Sequence, residues 1–145
     1  MVIQERSRAA RDRLLELGLV TLGRNGYHGT SVQDVVTEAG IPKGSFYTYF
    51  ESKDAFGAAV VDLYVQRIYR RLDDLLGQKG DALESLRGFM EGRLRRHQEH
   101  GQGCLVGNLG SELGGGVGAV GAVGGVGEAL RRGEAGIRLR IGRLI

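Results

Sequence analysis

The chain is 145 residues long, enough for one domain or two small ones, and its hydrophobic fraction of 41% permits a core without making it generous. A net charge of +3 allows nucleic acid as a partner but does not demand it. The single cysteine, Cys104, excludes an intramolecular disulfide. The charged opening MVIQERSRAARDR has no apolar centre of a signal peptide, and no apolar run reaches the ~18 residues of a membrane span. The expectation is a soluble cytoplasmic protein without a membrane partner.

Leu15, Leu19 and Leu22 recur at helical spacing, widened by Leu14 and Leu17, and predict a first helix over residues 7–24 that Asn25-Gly26 stops. A second helix is expected over 31–39. Thr30 and Gln33 stand at capping-box spacing, and Val32, Val35, Val36 and Ala39 make one apolar stripe. Gly40 supplies a left-handed stop, Ile41 can plug the corner, and Pro42 can open a third helix over 42–49. A fourth helix is expected over 53–76, with Phe56, Val60, Leu63, Tyr64 and Ile68 as its stripe. A fifth is expected over 82–97, opened by Asp81 and Glu84. No segment alternates with period two, so the fold class is all-α.

Two short helices joined by a tight glycine turn have the form of a helix-turn-helix, whose second helix enters a DNA major groove. At 100° per residue, Phe46 and Phe50 share the inward face of the third helix. Gly44, Ser45 and Thr48 then face outward with Tyr49 beside them, and Lys43 and Tyr47 flank the set. Glycine allows close backbone approach, hydroxyls reach phosphates or base edges, and a lysine neutralises a phosphate. The segment to Lys53 carries seven Lys/Arg against six Asp/Glu, so this placement, not bulk charge, is the argument for DNA.

Residues 7–57 resemble the TetR family of transcriptional regulators. The resemblance is carried by Gly26-Tyr27, Thr30-Ser31-Val32, Asp34-Val35-Val36, Ala39-Gly40-Ile41, the run Lys43-Gly44-Ser45-Phe46-Tyr47-Thr48-Tyr49-Phe50, and Ser52-Lys53-Asp54. It implies DNA contacts from Ser31, Lys43, Gly44, Ser45, Tyr47, Tyr49 and Lys53; Thr30 and Thr48 complete the candidate set. Pro42 stands where the family commonly has a serine, which removes one phosphate contact. Thr21 stands where a larger apolar residue is usual. The segment Gly103-Cys104-Leu105-Val106-Gly107-Asn108-Leu109 is similar to the opening of the sixth helix in one TetR subgroup, near its ligand cavity. Cys104 and Asn108 are therefore effector-pocket candidates, with a plain core helix and a buried thiol as the other reading.

Beyond Leu113 the pattern changes. Eight of the fourteen residues from 114 to 127 are glycine, and each costs a helix about 1 kcal/mol relative to alanine. Ile137, Leu139, Ile141 and Leu144 alternate among arginines in the manner of a short strand or a loose end. The abrupt loss of amphipathic pattern points to a truncated or frame-shifted product. Residues 114–145 are expected to be poorly ordered and the chain monomeric or heterogeneous, although the family forms homodimers.

Two further signals carry little weight. Residues 116–121 fit G-x-G-x-x-G but lack the flanking strand and helix of a dinucleotide site. His97, His100 and Cys104 are close in sequence, yet a fourth metal ligand such as Glu112 is remote, and no group orients a Cys–His nucleophile pair. Arg93, Arg95 and Arg96 read as a solvated face. No catalytic residue, metal or cofactor is expected.

The expected organisation is a three-helix DNA-binding domain over 1–52, an incomplete helical effector-binding and dimerisation domain over 53–113, and a glycine-rich tail over 114–145. The expected function is a DNA-binding transcriptional repressor, released from a double-stranded operator by an unknown small molecule. The rivals are a truncated remnant or interaction protein with little DNA binding and, remotely, an enzyme using the glycine tract or the Cys/His group.

Overall fold

The computed structural model describes residues 1–114 and 124–144, apart from the side chain of His100; the G-x-G-x-x-G match at 116–121 lies outside the described residues. These residues form helices α1 (Val2–Asn25), α2 (Val32–Ala39), α3 (Lys43–Tyr49), α4 (Lys53–Gly77), α5 (Ala82–His100), α6 (Leu105–Gly114) and α7 (Gly124–Leu144), with no strand among them. No helix among the described residues is long and apolar enough to cross a membrane.

The first three helices close around one apolar centre. Leu14, Leu15 and Leu22 of α1, Val35, Val36 and Ala39 of α2, and Phe46 and Phe50 at α3 are all buried. Gly26 ends α1 with a positive φ of 74°, its N–H donating to Leu22 O at 3.0 Å. Gly40 ends α2 in the left-handed region, and Pro42 sits at the N-cap of α3. Thr21 is buried and donates its hydroxyl to Leu17 O at 3.0 Å, which satisfies its polar group inside the first helix.

The cap of α2 differs from expectation. Ser31, not Thr30, is the N-cap: Asp34 N–H donates to Ser31 Oγ at 3.0 Å, and Ser31 N–H donates back to Asp34 Oδ2 at 2.8 Å. The Ser31 hydroxyl and N–H bonds hold the Asp34 carboxyl below the usual carboxylate range. Thr30 instead turns inward, 2% exposed, and donates its hydroxyl to Gly26 O at 2.7 Å and Thr21 O at 3.3 Å. It is a brace between the end of α1 and the start of α2.

α4 is the spine. Phe56 and Val60 face the first three helices, while Val61, Val65, Ile68 and Leu72 are also buried, so the helix is covered on more than one side. The second cover is α7, a helix over Gly124–Leu144 in the segment for which a poorly ordered tail was expected. Val126, Ala129 and Leu130 enter the main core, and Leu144 joins Ile68 and Leu72 in a second cluster with Ile137 and Ile141. The apparent alternation near the end is a helical i, i+4, i+7 set, Ile137, Ile141 and Leu144, with Leu139 left 57% exposed. Glycine within α7 permits close approach. A Cβ at Gly133 would lie 2.6 Å from Val65 Cγ2, so α7 and α4 meet nearly backbone to side chain. Asp54 caps α7, accepting from Gly125 N–H at 2.7 Å and Val126 N–H at 3.1 Å. Arg132–Asp62 and Arg140–Asp73 bridges run down the same seam.

Candidate functional site

α3 places its two faces as its sequence dictates. Phe46 is fully buried, with its ring centroid 5.5 Å from Phe50 and 5.3 Å from Phe56. Arg11 of α1 lies over the Phe50 ring at 5.1 Å. These contacts fix the rotation of α3 about its axis. Lys43, Gly44 and Thr48 are consequently exposed, and Tyr47 is 51% exposed. A Cβ at Gly44 would meet nothing within 4 Å, so this stretch of backbone is open to an approaching surface. Ser45 and Tyr49 are half-buried, and Tyr49 packs against the core rather than standing free beside the outward set.

The remaining candidates flank this face. Ser31 is exposed at the tip of α2, its hydroxyl engaged with Asp34. Lys53, at the start of α4, lies with its ammonium 4.3 Å from the centre of the Tyr27 ring. That cation–π contact holds a positive charge at the edge of the same surface. Thr30 does not belong to the set, because its hydroxyl is consumed inside the fold.

A cavity of about 620 Å³ opens between α1, α4, α5 and the segment entering α6. Cys104 lines it. Asn108 does not: one turn into α6 it is exposed, with its amide lying against Gly103. The Cys104 thiol sits beside the Tyr64 hydroxyl, to which Arg93 donates at 3.5 Å. Burial, with Cys104 adjacent, pushes the Tyr64 phenol above its usual range against the pull of Arg93. Arg93, Arg96 and His97 also line this space, so part of the arginine run read as a solvated face borders a chamber. Among the described residues no group of three or more His, Cys, Asp or Glu side chains is placed to hold a metal.

Glu112, near the end of α6, is the residue that sequence reasoning assigned least well. Its carboxylate accepts from Tyr27 N–H at 2.9 Å and His28 N–H at 2.8 Å, immediately after α1. It therefore ties α6, which begins at the cavity, to the turn that leads into α2. The contact spans 84 and 85 residues of sequence, and no local pattern announces it. Glu112→Gln offers one acceptor oxygen where two donors converge. The variant is expected to lose about 1 kcal/mol of stability and hydrogen-exchange protection at the Tyr27 and His28 amides. Unchanged exchange at both amides would show that the contact restrains nothing.

Residues 14–60 match the family described as bacterial regulatory proteins, tetR family. The chain is 36% identical over 104 residues to the HTH-type transcriptional repressor DhaR of Mycobacterium sp. (strain GP1), covering 71% of this chain and 52% of that protein. It is 39% identical over 108 residues to the transcriptional regulator AcuR of Cereibacter sphaeroides, covering 72% and 49%. The chain thus spans about half the length of the curated relatives it matches. Its fold superposes on the regulatory protein TetR from Rhodobacter sphaeroides with a TM-score of 0.80 and 33% identity, over 93% of this chain and 70% of that one. At 93% of this chain, that superposition extends past Leu113.

Proposed function

Because the chain belongs to the TetR family of bacterial regulatory proteins, we propose that it is a transcriptional repressor that reads an operator through α3 and is released by a small molecule in the cavity. The observation that carries this reading is the outward face of α3. Lys43, Gly44, Tyr47 and Thr48 stand open on a helix whose opposite face is locked by Phe46. Such a helix fits a major groove, with Gly44 letting the backbone approach and the polar side chains meeting phosphates and base edges. Ser31, Ser45, Tyr49 and Lys53 supply the flanking contacts. On a two-fold operator, two chains would each give one α3 to a half-site. The reaction is one of binding alone, in the cytoplasm, and we assign it no enzymatic step.

The coupling follows from the contacts already described. A ligand seated beside Cys104 and Leu105 presses on the start of α6. Displacement of α6 pulls Glu112 against Tyr27 and His28 and so moves the corner that seats α2 and α3.

Selection of bound duplexes from a random pool, followed by affinity measurements across a salt series, tests the DNA reading. A preferred sequence is expected to emerge. Lys43→Ala combined with Lys53→Ala is expected to weaken binding to all sequences alike and to lower the salt slope by about one unit per lysine. Ser45 and Tyr47 substitutions are expected to change which sequence is preferred. No enrichment, or an unaltered slope in the double variant, would remove α3 from this role.

A further inference from the structure

The wall of the cavity is chemically lopsided. Arg67, Arg71, Arg93 and Arg96 all line it, and its only acidic lining residue is Glu16, which is paired with Arg67. Neither Arg71 nor Arg96 has an acidic partner among the described residues, while Arg93 meets the Tyr64 hydroxyl, the Cys104 thiol and the Phe89 ring but no carboxylate. Partial burial and the charges of Arg96 and Arg93 push Arg71 below its ordinary guanidinium value. Apolar side chains share the wall with them. Val20, Met90 and Leu94 line the same space and are 38%, 53% and 57% exposed, an uncovered patch next to the uncompensated charge. The cavity volume falls within the ~300–1,000 Å³ typical of small-molecule sites.

We propose that this cavity takes a small amphipathic anion, a carboxylate or phosphate head held by Arg71, Arg93 and Arg96 on a short apolar body lying against Val20, Met90 and Leu94. The inference rests on reading the cavity as the effector chamber. Guanidinium groups match both heads, because their planar donor forks pair two N–H groups with two oxygens. The ligand supplies the negative charge that Arg71, Arg93 and Arg96 lack as a partner, and its apolar body covers side chains that otherwise face water.

Met90 lies on the cavity wall and Met1, the only other methionine, is 94% exposed at the chain start. Methyl-labelled methionine therefore gives one signal inside the site and one outside it. Hexanoate, hexyl phosphate and hexanamide are titrated separately against the full chain. At least one of the two anions is expected to shift the Met90 methyl saturably while leaving Met1 in place, about tenfold more tightly than hexanamide; the tighter anion identifies the head. Arg71→Gln with Arg96→Gln is expected to cost the anion about tenfold and hexanamide little. Both arginines are exposed on their helices, so unchanged helicity by circular dichroism is expected for the variant. Equal binding of hexanamide, or an anion affinity that survives the double substitution, overturns the charge assignment. In those cases Met90 still reports an occupied cavity, so the chamber reading stands. If none of the three moves Met90, the proposal falls, and a screen of neutral apolar compounds at the same methyl decides the chamber reading separately.

Discussion

Phe46→Ala is expected to cost the fold about 3–5 kcal/mol, a large share of the stability of a small domain. The side chain has no exposed surface, and its ring is one corner of a triangle with Phe50 and Phe56 whose third side is 5.0 Å. Phe56 belongs to α4, so the three rings join α3 to the spine as well as to α1 and α2. Removing one ring leaves a cavity that the surrounding helices, each anchored elsewhere, cannot fill by collapse. The adjacent Tyr47→Ala is the matched control. Half of that side chain is already in water, so its loss is expected to cost no more than about 1 kcal/mol of stability while altering DNA binding. Chemical denaturation of both variants checks the pair. Equal destabilisation would mean that the inward and outward faces of α3 have been exchanged.

That division of faces was legible because it is local. Helical spacing alone separates Phe46 and Phe50 from Lys43, Gly44 and Thr48, and Gly40 and Pro42 mark the turn between α2 and α3 by backbone preference. Thr30 was misplaced for a related reason. Two adjacent hydroxyl residues both suit an N-cap, and only the three-dimensional return of α1 shows that one of them is needed indoors. Asn108 was misplaced because a short apolar segment fixes a helix but not which of its faces meets a cavity. The cavity arginines were misread for the opposite reason: Arg93 and Arg96 look solvated on α5 until Arg67 and Arg71 of α4 are brought across from them. Glu112 and Asp54 were beyond sequence reasoning. Each carboxylate accepts backbone N–H groups more than 70 residues away, and any acid on any helix could have done so.

Leu130→Ala decides whether α7 is a structural element or a loose appendage. Composition argues for the appendage, since glycine lowers helix stability and the segment carries few large apolar residues. Packing argues the reverse: Leu130 is fully buried, and it lies in the same cluster as Leu105, Leu109, Val60 and Val61. The helix cost of each glycine is offset where its missing side chain lets α7 approach α4, as at Gly133 against Val65. If α7 is docked in this way, truncating Leu130 is expected to cost about 2–5 kcal/mol and to open the α7 seam to proteolysis. The wild-type chain is then expected to protect residues 124–144 from a protease that cuts after arginine, although five arginines stand from Arg131 to Arg143. A loose tail predicts the opposite on both counts: cleavage at those arginines in the wild-type chain, and a Leu130→Ala variant that unfolds at the same denaturant concentration as its parent.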